Sequence, residues 1–304
     1  MINQESDSPV THVAVIGAGT MGAAMATRLL NAHIVVGVWS RKPESTRSLV
    51  DLGASSHTDV RDVVANADIV LTMLPNADIT VEMMFNSRGL EAMGQNAIWV
   101  QMATIGTSAT ESIANLVRAR RPDVTFIDAP VSGSRGPAES GQLEILASGD
   151  RSRARLLENV FDVLGKKTLW LGPVGSGSQM KLILNTWLAF QIEGAAEAAS
   201  LASRWNVDSS TLLEALHDSP LVSPYALGKL ERIVNRDFHP DFSLDLALKD
   251  LELVGTDAGD AAAPIAGAIA LRWRHLVETG ASGLDVSAAG MGLEDSTGQS
   301  GESE

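Results

Sequence analysis

The chain has no cysteine among its 304 residues. That absence removes disulfides, thiolate nucleophiles and cysteine-based metal sites together. Histidine does not fill the gap: His12, His33, His57, His217, His239 and His275 are scattered without ligand spacing, so no metal is expected. Basic residues are scarce too, 23 Lys and Arg against 37 Asp and Glu, for a formal net charge of −14. A surface of that sign repels phosphate backbones and anionic lipid, which argues against nucleic-acid and membrane partners. No run of about 18 apolar residues is present to span a bilayer. The polar, acidic start from Met1 to Pro9 lacks the basic and apolar regions of a secretory signal. A cytoplasmic location is the expectation.

What is present has the balance of a globular protein, 45% hydrophobic and 20% charged. The length suits two domains at about 150 residues each. From Val10 to about Leu171, short β-branched runs alternate with helix-period segments, the pattern of a parallel α/β sheet. Strands are expected at Val13–Ile16, Ile34–Trp39, Ile69–Leu74, Ile98–Gln101, Thr125–Asp128, Leu143–Ala147 and Thr168–Leu171. Helices are expected near Met21–Asn31, Pro43–Leu52, Val60–Ala65, Ile79–Met84, Ser108–Arg120 and Arg151–Leu164. The segment Gly175 to Trp205 has no proline and many apolar residues, and predicts one long helix of roughly 45 Å. Burying such a helix takes more than one partner, either the rest of a helical domain or a second subunit. Further helices are expected near Ser209–Asp218, Pro224–Val234, Leu244–Asp257 and Pro264–Glu278. The organisation is therefore α/β plus all-α. A Rossmann-type, doubly wound parallel sheet spans 10–172, a helical substrate and dimerisation domain spans 173–289, and the long helix joins them. The acidic stretch 290–304 is expected to be disordered.

Val13 to Ile16 runs straight into Gly17-Ala-Gly19-Thr20-Met21-Gly22 and then an apolar helix pattern. In a G-x-G-x-x-G turn, Gly17 permits the bend, Gly19 lets backbone approach a pyrophosphate, and Gly22 lets the helix pack closely. Unpaired N–H groups from Thr20 and Met21 onward would face the phosphates at the helix start. The same motif also opens other α/β folds, such as methyltransferases that bind adenosylmethionine. The end of the second strand separates the two dinucleotides. An NAD site places a carboxylate there, whereas this chain reads Ser40-Arg41-Lys42. A guanidinium fork, a hydroxyl and an ammonium suit a 2′-phosphate, so NADP(H) is expected. Leu74 and Pro75 close the third strand, and Thr104 follows the fourth. Carboxyl ends of such strands wall the cofactor path.

Lys181 and Asn185 stand four residues apart near the start of the long helix, after Gly172-Pro-Val-Gly175-Ser-Gly177. Positions i and i+4 share a helix face, which brings together an ammonium that moves protons and a carboxamide that orients oxygen. A solvated lysine with a chance asparagine reads equally well from those two residues alone. Upstream, Asp128-Ala-Pro130-Val-Ser132-Gly133-Ser134 continues to Gly141, a run of small residues able to expose backbone N–H groups to a carboxylate.

These patches, with Phe242 and Lys249-Asp250-Leu251, resemble the β-hydroxyacid dehydrogenase family across residues 12–252. The resemblance implies that Lys181 is the acid/base and that Asn185 holds the reacting hydroxyl. It further implies that Ser132 and Gly133 bind the substrate carboxylate, with Ser134 beside them, and that Thr104 and Lys249 meet the nicotinamide end. The implied reaction is NADP-dependent interconversion of a small 3-hydroxy acid and its semialdehyde by a homodimer or homotetramer. The alternatives are an imine or keto-acid/semialdehyde reductase on the same fold, acting on glyoxylate, succinic semialdehyde or tartronate semialdehyde, or a non-catalytic NADP-binding protein. Two positions depart from the family: Ser134 replaces a glycine, and Ala103 replaces a serine.

Overall fold

The computed structural model describes residues 11–293. They divide into two compact units, one ending at Lys181 and the other beginning at Leu182. The first holds all nine strands: β1 (His12–Ile16), β2 (Val35–Trp39), β3 (Ser55–His57), β4 (Ile69–Thr72), β5 (Ile98–Gln101), β6 (Thr125–Asp128), β7 (Val131–Ser132), β8 (Leu143–Gly149) and β9 (Gly165–Trp170). Their order is β3-β2-β1-β4-β5-β6-β8-β7, with β9 beside β8. The run from β3 to β6 is parallel throughout and has the strand order of a dinucleotide-binding sheet. Successive residues of β1 go to opposite faces: Val13 and Val15 join one apolar core, Ala14 and Ile16 the other. Strands β4, β5 and β6 are buried at every position, as sheets covered on both faces require.

The sheet is not wholly parallel. Strand β8 runs antiparallel to both β6 and β7, pairing Asp128 with Ser148 and Ser132 with Glu144. A parallel return needs a crossover of about a dozen residues on one face of the sheet. Here residues 129–142 form instead a loop, β7 and a short helix, so the chain returns antiparallel. Strands β3 and β7 were not expected; at three and two residues they carry no alternation to read.

The helices used below are α1 (Thr20–Asn31), α2 (Thr107–Arg120), α3 (Arg135–Glu139), α4 (Leu157–Leu164), α5 (Ser176–Arg204), α6 (Ser209–Leu216), α7 (Pro224–Val234), α8 (Leu244–Ala258) and α9 (Pro264–Leu276). The expected helix Arg151–Leu164 breaks after a 3-10 turn at Arg151–Arg153, which the Asp150 carboxylate caps through the Ser152 N–H. The long helix α5 has 29 residues and passes through the boundary between the units.

The second unit is all helical, with its core built from α5, α8, α9 and the segment after them. Glu193 of α5 ties these together: its carboxylate accepts from the Arg272 guanidinium and, at 2.8 Å, from the Trp273 indole N–H. Arg272 also donates to Ala289 O, fixing the last turn. Residues 290–293 correct the expected start of the disordered stretch. Gly290 is buried against Ile233, Met291 and Leu293 pack on the helical core, and Ser200 Oγ donates to Leu293 O at 3.1 Å. The remainder of that stretch, 294–304, and the Met1–Pro9 start lie outside the described residues.

Candidate active site

The glycine turn is built as its sequence requires. Gly17 has φ +103°, and a Cβ there would lie 2.4 Å from Met73 O. A Cβ on Gly22 would lie 2.0 Å from Gly17 O, so the first turn of α1 closes directly on the bend. Gly19 is the contrast: a Cβ there would meet nothing within 4 Å. The turn is therefore crowded beneath and open above. No side chain caps the start of α1, which leaves the N–H groups near exposed Thr20 and half-buried Met21 facing that opening. An anion such as pyrophosphate fits this cradle.

Two strand ends are pulled to the turn. Gly17 N and Ala18 N donate to Trp39 O at 2.9 and 3.3 Å, so Ser40, the next residue, begins beside the glycines. Ser40 Oγ accepts from Lys42 N at 3.3 Å and from Ser45 Oγ at 2.9 Å, and both Arg41 and Lys42 are exposed. Leu74 is buried, with its Cδ2 lying 3.0 Å from where a Gly17 Cβ would stand, and Pro75 is exposed beyond it.

Thr104 is half-buried on the loop after β5, and a buried polar chain sets that loop. Trp99 Nε1 donates to Thr72 Oγ1 (2.9 Å), which donates to Gln101 Oε1 (2.9 Å), while Gln101 Nε2 donates to Ala103 O (2.7 Å). Gln101 and Thr72 are fully buried, and so act through the loop rather than on a ligand. Ala103 faces the apolar core beside Ile105 and Trp99.

In the loop expected to meet substrate, Ser132 of β7 pairs with Glu144 of β8, Gly133 has φ +130°, and Ser134 precedes α3. Ser134 takes φ −97°, ψ −164°, extended backbone that any residue adopts, and its hydroxyl does not cap α3. The departure from glycine therefore adds a side chain without backbone strain.

The root of this loop is joined to the start of α5, a feature not anticipated from sequence. Asp128, at the end of β6, is fully buried. Its carboxylate accepts from Ser178 N (2.9 Å), Ser178 Oγ (2.8 Å) and Ser148 Oγ (2.9 Å). Ser148 Oγ in turn accepts from Gly177 N at 3.0 Å, and Thr110 Oγ1 lies 3.1 Å from Ser178 Oγ. A Cβ on Gly177 would sit 2.2 Å from Leu146 O, so the helix start rests directly on the sheet. Burial pushes the Asp128 carboxyl above the usual carboxylate range, against the lowering by the Ser178 and Ser148 donors. Lys181, half-buried, follows one turn after this joint.

Asn185 and Lys249 belong to the second unit, where Asp250 links them. The buried Asn185 donates its Nδ2 to Asp250 Oδ2. Lys249 Nζ lies 2.9 Å from the other oxygen, Oδ1, paired by charge though not aligned as a hydrogen bond. Asp250 was legible only as the neighbour of Lys249. Among the described residues no group of three or more His, Asp or Glu is arranged to hold a metal, and no helix is long and apolar enough to cross a membrane.

Comparison with known proteins agrees with this geometry. Residues 12–172 match the family described as the NAD binding domain of 6-phosphogluconate dehydrogenase. Residues 175–293 match the family described as the NAD-binding domain of NADP-dependent 3-hydroxyisobutyrate dehydrogenase. Glyoxylate/succinic semialdehyde reductase 1 of Arabidopsis thaliana is 31% identical over 279 residues, 91% of this chain and 96% of the relative. A 3-hydroxyisobutyrate dehydrogenase of Mycobacterium tuberculosis, solved with L-serine, superposes with a TM-score of 0.82 at 26% identity, covering 92% of this chain and 98% of that one. An imine reductase from Myxococcus stipitatus, solved with NAD+, has a TM-score of 0.63 at 18% identity over 92% of this chain and 98% of its own, and shares the fold alone. The chain thus belongs to the β-hydroxyacid dehydrogenase family, as an oxidoreductase that uses a nicotinamide dinucleotide and acts on hydroxyl and semialdehyde groups.

Proposed function

We propose that the chain interconverts a small 3-hydroxy acid and its semialdehyde with NADP(H), Lys181 serving as acid and base. The observation that carries this reading is the joint at Asp128, which ties the root of the Ser132–Ser134 loop to the helix turn before Lys181. Ser132, Gly133 and the hydroxyl of Ser134 bind the substrate carboxylate. Protonated Lys181 donates to the carbonyl oxygen as it becomes an alkoxide, and neutral Lys181 removes the hydroxyl proton in the reverse direction. Asn185 orients that oxygen. NADP(H), when bound, supplies or takes the hydride. Gly17, Gly19, Thr20, Met21 and Gly22 cradle its pyrophosphate, Leu74 and Pro75 flank it, and Thr104 and Lys249 meet its nicotinamide end.

The preference for NADP(H) rests on Ser40, Arg41 and Lys42, which follow Trp39 beside the glycine turn where no carboxylate stands. The Arabidopsis relative is named for glyoxylate and succinic semialdehyde, and the mycobacterial structure for 3-hydroxyisobutyrate. The substrate here falls in that group of short semialdehydes, tartronate semialdehyde included. The resemblance implies a catalytic lysine that imine reductases of this fold usually lack, so Lys181 disfavours the imine reductase reading. Steady-state assays with these semialdehydes and their hydroxy acids, using NADPH and NADH, test it. Turnover is expected on at least one pair, faster with NADPH. Arg41→Ala should raise KM for NADPH roughly tenfold or more and leave that for NADH near its starting value. Absence of turnover across the panel, or an equal effect of Arg41→Ala on both cofactors, overturns the respective part.

The unit of function is proposed to be a homodimer or homotetramer. Ile183, Trp187 and Leu201 are 62%, 63% and 44% exposed and fall on one stripe of α5, Trp205 just past its end is 68% exposed, and α6 has no buried residue. Analytical ultracentrifugation should find an oligomer that Trp187→Glu with Trp205→Glu dissociates; a monomeric native chain rejects the assignment.

A further inference from the structure

A helix start normally satisfies its free N–H groups with a serine, threonine or aspartate of its own sequence. In α5 that role falls to side chains from distant strands. Gly177 N donates to Ser148 Oγ of β8 at 3.0 Å, and Ser178 N to Asp128 Oδ2 of β6 at 2.9 Å. Ser178 is held a second time, by its hydroxyl on Asp128 Oδ1 at 2.8 Å, and touches Thr110 Oγ1 of α2 at 3.1 Å. Asp128, Ser148, Thr110 and Ser178 are all buried. Gly177 leaves no room for slippage, since a Cβ there would meet Leu146 O at 2.2 Å and Asp128 O at 3.1 Å. The register of the first turn is thus locked, and Lys181 is carried three residues beyond Ser178. The same Asp128 ends β6 and opens the run to Ser132 and Gly133.

We propose that Asp128 is a positioning residue for the reaction: its carboxylate sets the Lys181 ammonium at a fixed place relative to the Ser132–Ser134 cradle by clamping Ser178. This rests on the reading of Lys181 as acid and base. Asp128 touches no reacting atom; it acts through the helix turn. An ionised aspartate only accepts, which suits three donors arriving from Ser178 N, Ser178 Oγ and Ser148 Oγ. Keeping a buried carboxylate here is costly, as the rise that burial causes in its pKa indicates. A neutral amide can keep the geometry: its oxygen accepts from Ser178 N and Ser148 Oγ, and its NH2 donates to Ser178 Oγ, whose proton turns to Thr110.

The test is a cycle of single-turnover rates on full-length protein, with melting temperature and NADPH binding measured beside them. Asp128→Asn is expected to keep turnover within a few-fold of the native enzyme. Asp128→Ala should lower the chemical rate about 10²-fold, the cost of misplacing a reacting group by about 1 Å, with NADPH affinity nearly unchanged. In a Lys181→Ala background, Asp128→Ala should lose nothing further. If Asp128→Ala does not fold, Ser178→Ala carries the same cycle, with about a tenfold loss expected for removing one hydrogen bond to a charged group. Losses that multiply with that of Lys181→Ala, or that track only the folded fraction, overturn this inference and leave the role of Lys181 standing. Full activity in Lys181→Ala alone overturns the proposed function, and the role of Asp128 with it.

Discussion

Lys181→Ala is expected to lower turnover by about 10²–10⁴-fold, the loss typical of removing a general acid or base, while NADPH binding stays within a few-fold. The glycine turn and the β2 end are fixed by backbone hydrogen bonds and close contacts of Gly17, Ala18, Gly22, Trp39 and Met73, so the pyrophosphate cradle should survive the change. A loss made only in the transition state lowers kcat and kcat/KM together, and that is the expected signature. Lys181→Arg separates charge from proton transfer. Arginine keeps a cation in place but does not release its proton at working pH. The oxidation direction, which needs a neutral base, should therefore remain as slow as in the alanine variant. Native turnover in either variant, measured at the nicotinamide absorbance band, would reject Lys181 as the proton carrier.

The parts of the molecule that were legible in the sequence are those whose causes are local. The turn made by Gly17 and Gly22 is read because the motif is complete within six residues, Gly22 closing directly on Gly17 O. Strands β4 to β6 are read because burial on both faces makes them apolar at nearly every position. Helix α5 is read from length and composition alone. What escaped has causes distant in the chain. The cap of α5 comes from Asp128 and Ser148, 50 and 29 residues upstream of the N–H groups they receive. The partner of Asn185 is 65 residues on. The Gln101 chain that shapes the Thr104 loop reaches across two strands. Even the antiparallel return of β8 is set by how residues 129–142 are spent, not by any periodicity in β8 itself. The candidate site residues were thus visible as residue types in a pattern, while the side chains that hold them were not.

The second large effect is expected in the helical unit, at a buried ion pair that no motif announced. Asp285 is fully buried and accepts from Lys229 Nζ at 2.8 and 2.9 Å, with Arg232 Nη1 at 3.2 Å. It also accepts from Ser287 N, Phe242 N and Asp241 N, at 3.0, 3.2 and 3.3 Å. One carboxylate therefore fastens α7 to the turn Val286–Gly290 and to the segment leading into α8, the helix of Lys249 and Asp250. Asp285→Ala strands the Lys229 ammonium without its partner, and breaking a buried pair in this way costs about 3–5 kcal/mol. That is a large share of the roughly 5–15 kcal/mol that holds a native protein folded. Replacing both partners, as in Lys229→Met with Asp285→Leu, should cost less than Asp285→Ala, because the buried ammonium goes with its partner and Arg232 keeps Asp237. The N–H groups of Asp241, Phe242 and Ser287 lose their acceptor in both variants. Acidity gives an independent check. Burial alone would raise the Asp285 carboxyl, but the Lys229 ammonium and the Ser287 donors hold it below the usual range. A carboxyl depressed in the folded state stabilises it above the unfolded value and loses that contribution as pH falls through the folded one. The native chain should therefore lose stability below about pH 4 in denaturant titrations followed by circular dichroism. Lys229→Met, lacking the ammonium that depresses Asp285, should show a smaller acid loss. If Asp285→Ala unfolds at the native denaturant midpoint, or the double variant is no better than the single one, the pair does not carry the stability assigned to it.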